Sequence, residues 1–188
     1  MSTLKATSRD AAEKLAQTFL AGKVAIFPTD TVYGLGCILE EKAIRKIFKI
    51  KNRRPDKPLP LLIADLDGAL SLAHFSPTAR EAATKFWPGA TTLVLNARKE
   101  LPPWVCQKGT VALRIPNHPF LREVIRKIGQ VIIGTSANLS GEEPVGCISK
   151  ISKKILTEID LVIDGGEIPG KASVVYDFTG PKPVTIRT

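Results

Sequence analysis

The chain has 188 residues, 44% of them hydrophobic and 24% charged, which is an ordinary balance for a globular domain. Lys and Arg number 27 against 18 Asp and Glu, a formal charge of +9 that suits anionic partners such as nucleotides, phosphate or RNA as well as plain solubility. No apolar run approaches the roughly 20 residues that cross a bilayer, and residues 1–5 lack the apolar stretch of a signal peptide, so a cytoplasmic protein away from membranes is expected.

Cys37, Cys106 and Cys147 lie far apart with no CxxC pair, and His74 and His118 are the two histidines. That composition predicts unpaired, inert thiols and no protein metal site.

Apolar periodicity then gives alternating helices and short strands. Ser8 is placed to cap a helix bearing Ala12, Leu15, Ala16 and Phe19, which Gly22 would end. A strand over 24–27 follows. Residues 41–51 read as a helix with Ala43, Ile44, Ile47 and Phe48 on one face and Lys42, Arg45, Lys46 and Lys49 on another. A strand over 59–64 precedes a short helix near 67–74. Ser76 then caps a helix with Pro77 at its first position. Trp87-Pro88-Gly89 forms a turn before strands over 91–95 and 110–115. Asn117 is placed to cap a helix ending near Gly129. A strand over 131–133 opens into a loop over 134–141, Ser149 starts one more helix, and strands near 161–163, 173–176 and 184–187 close the chain. Without repeat or linker there is no domain boundary, and the mixture predicts an α/β sheet of mixed direction in a single domain over 1–188.

Three segments offer chemistry. Residues 28–36 (PTDTVYGLG) leave a strand with hydroxyls and glycines, either to meet a ligand or to form a local Asx turn. Residues 42–57 hold eight basic side chains against the single acid Asp56. The helix should fail before Pro55, and Lys51 and Arg53 would converge on one anion if the chain is extended by residue 51; a solvated basic face accounts for the helical charges equally simply. Residues 134–141 (GTSANLSG) approach a nucleophile elbow, but Asn138 stands where GxSxG needs glycine. A polar loop aiming Ser136 and Asn138 at a ligand, or a plain Ser/Asx turn, remain the alternatives. Arg114, at the end of an apolar strand, suits either carboxylate recognition or a structural ion pair.

Taken in order, these segments resemble the YrdC-type threonylcarbamoyl-AMP synthase family in its single-domain form. The resemblance runs from Val24 to Arg187 through residues 28–36, Lys51-Asn52-Arg53, Lys57-Pro58-Leu59, Trp87-Pro88-Gly89, Thr91-Thr92, Leu113-Arg114-Ile115-Pro116, residues 135–141, Gly165-Gly166, Ser173 and Arg187. It implies a twisted open mixed sheet with flanking helices and a concave basic face. It implies synthesis of threonylcarbamoyl-AMP and pyrophosphate from L-threonine, bicarbonate and ATP, for threonylcarbamoyladenosine in tRNA. The pairs Lys51/Arg53 and Ser136/Asn138 would be catalytic. Thr31, Arg114, Thr135 and Ser173 would bind threonine; Arg53, Lys57, Thr110, Ser136, Asn138 and Arg187 would line ATP, with Lys51 near the phosphates. Mg²⁺ would arrive with the triphosphate, and downstream tRNA threonylcarbamoyl transferase proteins would use the product, with direct contact to tRNA or double-stranded RNA possible in principle. A non-catalytic RNA-binding module or nucleotide-binding paralogue is the alternative. Three departures from the family pattern are Arg54 before Pro55, Leu61-Leu62 where some members carry a histidine, and Val174 where many have threonine.

Overall fold

Alternating apolar side chains let the central strands bury both faces, and two separate helical layers cover them. The computed structural model describes residues 2–188. The first half contains β1 (Ser2–Lys5), α1 (Ala11–Leu20), β2 (Ala25–Phe27), β3 (Gly34–Ile38), α2 (Glu41–Lys51), β4 (Leu61–Leu62), α3 (Leu66–Leu72), β5 (Ala73–His74), α4 (Pro77–Phe86) and β6 (Thr91–Ala97). The second contains β7 (Cys106–Gln107), β8 (Thr110–Arg114), α5 (Pro119–Ile128), β9 (Ile132–Ser136), a 3-10 turn at Ile148–Lys150, α6 (Lys153–Leu156), β10 (Leu161–Asp164), β11 (Val174–Asp177) and β12 (Val184–Arg187).

Hydrogen bonding orders the strands β1-β10-β2-β3-β9-β4-β8-β6-β11-β12, with β5 beside β6 and β7 beside β8. The pairs β1/β10, β10/β2, β4/β8 and β6/β11 are parallel and the others antiparallel. The expected mixed, twisted, open α/β sheet with flanking helices is therefore what the chain forms.

Neighbouring residues in a strand point to opposite faces, and the core divides accordingly. Ala25, Phe27, Leu62, Ile132, Leu161 and Ile163 pack against Leu15 and Phe19 of α1 and Leu121 and Val124 of α5. Ile26, Leu35, Leu61, Leu93, Leu113, Ile133 and Val162 pack against the buried faces of α2, α3, α4 and α6. The first layer stops short. Beyond α1 and α5 the same sheet face continues with Thr92 of β6, Ala112 and Arg114 of β8 and Val175 of β11, and these line a cavity instead of a helix.

Several local expectations need correcting. Ser2–Lys5 is a strand, parallel to β10; its sequence STLK shows no two-residue alternation strong enough to announce one. Ser8 does not cap α1: its carbonyl accepts the Ala11 N–H at 3.0 Å, and the helix starts after Asp10 without a side-chain cap. Asn117 yields to His118, whose Nδ1 accepts from Leu121 N at 3.4 Å ahead of Pro119. The strand expected over 59–64 shrinks to Leu61–Leu62, pinned between β8 and β9. Ser149 lies inside the 3-10 turn, and Ser152 caps α6.

The glycine-rich exit from β2 becomes a strand from Gly34 onward, because a neighbour excludes any side chain there. A Cβ on Gly36 would fall 2.1 Å from the Ile133 carbonyl oxygen and 2.9 Å from the Phe27 ring. Gly36→Ala should therefore cost roughly 1–3 kcal/mol or more through overpacking. Urea unfolding followed by circular dichroism would measure it, and a loss within error of zero would mean the β3/β9 contact yields freely.

Candidate functional site

The site forms where the apolar helical layer ends. A cavity of about 230 Å³ lies on the uncovered sheet face, walled by Thr29, Thr31, Val32, Gly34, Leu62, Thr92, Ala112, Arg114, Gly134, Thr135, Ser173 and Val175. Its floor is open because Gly34 and Gly134 have no side chains: a Cβ would meet the Phe27 ring at 2.7 Å or Leu62 Cδ1 at 2.3 Å. A larger groove of about 630 Å³ adjoins it, lined by Lys51, Arg53, Lys57, Ser136, Asn138, Ser140, Glu142, Lys171 and Arg187 among others. Arg53, Ser136, Ala172 and Arg187 line both spaces.

Arg114 dominates the cavity. It is 7% exposed, and a buried guanidinium cannot shed its charge, so it must be paired. Its Nη2 donates to Asp30 Oδ1 at 2.6 Å, its Nη1 to Thr31 Oγ1 at 2.9 Å and its Nε to the Gly89 carbonyl at 3.0 Å. Three of the five N–H groups are committed and two remain. Of the two alternatives from the sequence, the structural ion pair is formed, to Asp30, and it leaves two N–H groups of the same residue available. Thr29 fixes Thr31: its Oγ1 lies 2.9 Å from Thr31 Oγ1 and donates to the Val32 carbonyl at 2.7 Å. On the far wall, Ser173 Oγ and Thr92 Oγ1 are 3.0 Å apart.

Lys51 differs from its expected place. It closes α2, with Asn52 left-handed behind it at φ 49°, so the chain is not yet extended at residue 51. Its side chain is 2% exposed, and Nζ donates to the Ser136 and Asn138 carbonyls. The Lys51 carbonyl in turn accepts the Ser140 N–H at 3.0 Å. Lys51 therefore holds the loop after β9 in place and does not stand out as a free charge. Burial, with nearby Arg53 adding to it, pulls its pKa down to about 8, against a smaller opposing effect of Glu142.

Arg53 follows the same economy. Its Nε and Nη2 donate to the Lys57 and Pro58 carbonyls at 3.0 Å each, leaving Nη1 uncommitted, and burial holds the group below its ordinary value. Arg187 grips Ser173 through Nε and Nη2, both on the carbonyl, with Nη2 also 3.1 Å from Ser173 Oγ. Asn138 is 7% exposed and sends Nδ2 to the Leu139 and Glu142 carbonyls, while its Oδ1 is buried without a partner among the described residues.

Thr31, Arg114, Thr135 and Ser173 thus share one cavity, and Lys51, Arg53, Lys57, Ser136, Asn138 and Arg187 share the adjoining groove. Thr110 joins neither. It is on the same face of β8 as Ala112 and Arg114, but its hydroxyl donates to the Gln107 carbonyl at 2.9 Å inside the β7/β8 hairpin. Asp30, Thr29 and Thr92 belong to the site and carried no assigned role in the sequence; the signal available was their position beside Thr31 and in the Thr91-Thr92 pair. Tyr33 is fully buried and anchors the 165–166 turn, accepting from Gly165 N at 2.9 Å and donating to the Gly166 carbonyl at 2.8 Å. Burial pushes its hydroxyl up to about 12.

The departures from the family pattern also find places. Arg54 pairs with exposed Asp56, outside both spaces. Leu62 gives the cavity an apolar wall while Leu61 faces the opposite core. Val174 falls on the face opposite Ser173 and Val175, so its missing hydroxyl is not missing from the cavity.

The fold and site define a class: an α/β domain with a small polar cavity around a buried arginine, opening into a cationic groove on an uncovered sheet face. The family model Sua5/YciO/YrdC, described as telomere recombination, matches residues 17–188, and the chain belongs to this family. A putative threonylcarbamoyl-AMP synthase of Methanocaldococcus jannaschii is 34% identical over 177 residues, covering 93% of this chain and 84% of that one. A threonylcarbamoyl-AMP synthase of Pyrococcus abyssi is 39% identical over 171 residues, covering 88% of this chain and 50% of that one. The crystal structure of Pyrococcus abyssi Sua5 complexed with L-threonine superposes with a TM-score of 0.91 at 34% identity, over 100% of this chain and 57% of that chain. The chain thus spans about half the length of the Pyrococcus protein. No described helix is long and apolar enough to cross a membrane.

The Lys51 geometry makes a pH prediction. Its folded pKa of about 8 lies below the ordinary 10.5, so between those values the unfolded chain binds the extra proton and stability rises with pH. Below about pH 8 both states are protonated and the burial cost is felt in full. Side-chain NMR should show one lysine titrating near pH 8 that Lys51→Met removes. The mutant, which orphans two carbonyls at a cost of about 1–3 kcal/mol, should lose further ground to wild type from pH 8 to 10. A lysine spectrum with every midpoint above pH 10 would contradict this.

Proposed function

We propose that this chain makes L-threonylcarbamoyl-AMP and pyrophosphate from L-threonine, bicarbonate and ATP. The observation that carries this is the junction of a cavity built around Arg114, of a size for a small polar molecule, with a groove lined by Lys51, Arg53, Lys57 and Arg187. The two uncommitted N–H groups of Arg114 suit the threonine carboxylate, since a guanidinium fork matches that geometry. Thr31, Thr135 and Ser173 supply hydroxyls for the amine and side-chain oxygen. Leu62, Val32 and Val175 receive the methyl group.

In the groove, Arg53, Lys57 and Arg187 face the triphosphate, and Ser136 and Asn138 orient the nucleotide, Asn138 being held in place by its Nδ2 bonds to the Leu139 and Glu142 carbonyls. Lys51 acts through the loop it holds. Mg²⁺ would arrive with the triphosphate, and Glu142 and Glu143 are the groove carboxylates that could share in holding it. When bound there it shields triphosphate charge.

The chemistry balances in two steps. The neutral threonine amine attacks the bicarbonate carbon, a C–N bond forms, and water leaves to give N-carboxy-threonine. A carbamate oxygen then attacks the α-phosphorus, and the bond to the β-phosphate oxygen breaks to release pyrophosphate. Both steps bring anions together, so fixed cations lower the barrier by stabilising charge that accumulates in the transition state, and alignment in adjoining spaces supplies the rest. The product's consumers would be tRNA threonylcarbamoyl transferase proteins.

Pyrophosphate release from ATP should require both threonine and bicarbonate, with the adenylate detected by mass and serine much weaker than threonine. Arg53→Ala and Ser136→Ala should each remove most of this activity, by a factor of about 10² or more if each contributes transition-state hydrogen bonds; Ser136→Ala should leave the melting temperature little changed, while Arg53→Ala should lower it because the Lys57 and Pro58 carbonyls lose their donor. No release from wild type, together with salt-sensitive RNA binding, would favour a non-catalytic RNA module instead.

A further inference from the structure

Where β4 ends and β9 begins, the two helical layers meet, and a second cavity of about 590 Å³ lies between α3 and the C-terminal end of α5. It shares no lining residue with the cavity around Arg114 or with the adjoining groove. Its wall is apolar: Ile63, Leu72 and Ile125 are buried, and Leu39, Leu101 and Val131 are half-buried. Water finds few partners on such a wall, and a space of this size and lining suits a small organic molecule.

The charged side chains around it say which kind. Lys99, just beyond β6, and Arg126, in the last turn of α5, both line the cavity and are exposed. Neither has a carboxylate partner among the described residues. Lys127 already complements the negative end of α5, and it pairs with Glu13 at 3.5 Å, so the helix does not account for Arg126. Asp65 is the acid of the lining, and its Oδ1 accepts the Gly68 N–H at 3.0 Å to cap α3. Two free cations therefore stand against one carboxylate that is already engaged.

Gly68 keeps the space open. A Cβ there would have Asp65 Oδ1 at 3.4 Å and Ile63 Cβ at 4.0 Å as its nearest neighbours, so the fold has room for a side chain that would project toward the apolar wall. Glycine inside a helix of 7 residues is otherwise a local cost.

We propose that this cavity is a second ligand site, for a small amphiphilic anion with an apolar chain or ring and a single carboxylate head. The apolar part lies on the wall formed by Ile63, Leu72, Leu101 and Val131. Lys99 and Arg126, whose long stems let their charges move over apolar surface, hold the head.

Octanoate serves as the probe, titrated by calorimetry into the full chain at fixed pH and ionic strength. Octanol and acetate are the controls, lacking respectively the charge and the chain. Octanoate should saturate a single site, and both controls should bind about tenfold more weakly or worse. Gly68→Met, which fills the cavity and favours the helix, should abolish octanoate binding without lowering the melting temperature. Lys99→Glu combined with Arg126→Glu should weaken octanoate by roughly tenfold or more, as loss of charge-assisted contacts implies, and leave octanol unchanged. Saturating threonine and ATP should leave octanoate binding intact. Absence of binding by wild type, equal affinity for octanoate and octanol, or binding indifferent to Gly68→Met or to the double charge reversal overturns the site. Displacement by threonine or ATP would put the probe in the catalytic cavity and overturn it as well. None of these readings depends on pyrophosphate release, so the proposed function stands or falls separately.

Discussion

Loops that leave a sheet carry main-chain carbonyls that no strand partner reaches, and buried carbonyls must find donors. In this chain the donors are cations. Lys51 caps the Ser136 and Asn138 carbonyls, Arg53 those of Lys57 and Pro58, Arg114 that of Gly89, and Arg187 that of Ser173. The same bonds that satisfy the backbone fix where each cation sits. For the three arginines they also leave a hydrogen-bonding edge free. Structural satisfaction and the placement of the cations are therefore one arrangement: loosening a loop here displaces a charge, and displacing a charge loosens a loop.

That arrangement depends on the sheet face being left partly bare. On one side, α2, α3, α4 and α6 bury the sheet through a continuous apolar cluster. On the other, α1 and α5 cover Ala25, Phe27, Leu62 and Ile132, and then no helix follows. Leucine or isoleucine at positions 92, 112 or 134 would have invited further apolar packing; threonine, alanine and glycine there leave room for a ligand. Leu62 sits at the boundary, packed in the second cluster and also lining the cavity.

Much of this was legible in the sequence, and the failures have physical causes. The α2 stripe of Ala43, Ile44 and Ile47, the Ser76-Pro77 start of α4 and the left-handed Gly129 behind α5 are set by local periodicity and capping, and they formed as read. Strand β1 was invisible because its pairing with β10, some 160 residues later, leaves no local mark. Strand β3 hid behind glycines that looked like loop residues and are there to admit Phe27 and the β9 backbone. At the site, the segments gathered by resemblance line one cavity and its adjoining groove, Thr110 excepted, and geometry gives some of them main-chain partners. Lys51 reads from sequence as a phosphate ligand because it is a lysine two residues from an arginine; only tertiary structure reveals carbonyls within its reach. Thr110 shares its strand face with Arg114, yet a hairpin carbonyl claims its hydroxyl. Asp30 was passed over because its partner is 84 residues away.

The choice of groups also bears on how catalysis can work. A covalent route would need a nucleophile near a base. Cys37 is buried in the opposite core with its thiol pushed up to about 12, and His118 is engaged at the start of α5 with burial lowering its pKa. The groups that do converge are fixed cations and hydroxyls. Fixed charges cost no reorganisation when negative charge moves past them, so a reaction that passes charge from bicarbonate to carbamate to pyrophosphate gains most from this layout. Arg114, paired with Asp30, has N–H groups left to anchor a carboxylate, and its charge is still felt at Arg187. Arg53 and Arg187, without a carboxylate partner among the described residues, would keep their field for the atoms that change charge in the proposed reaction. In the proposed reaction, a division of labour between a compensated arginine that would bind and uncompensated arginines that would stabilise follows from one carboxylate, Asp30, being placed on the first.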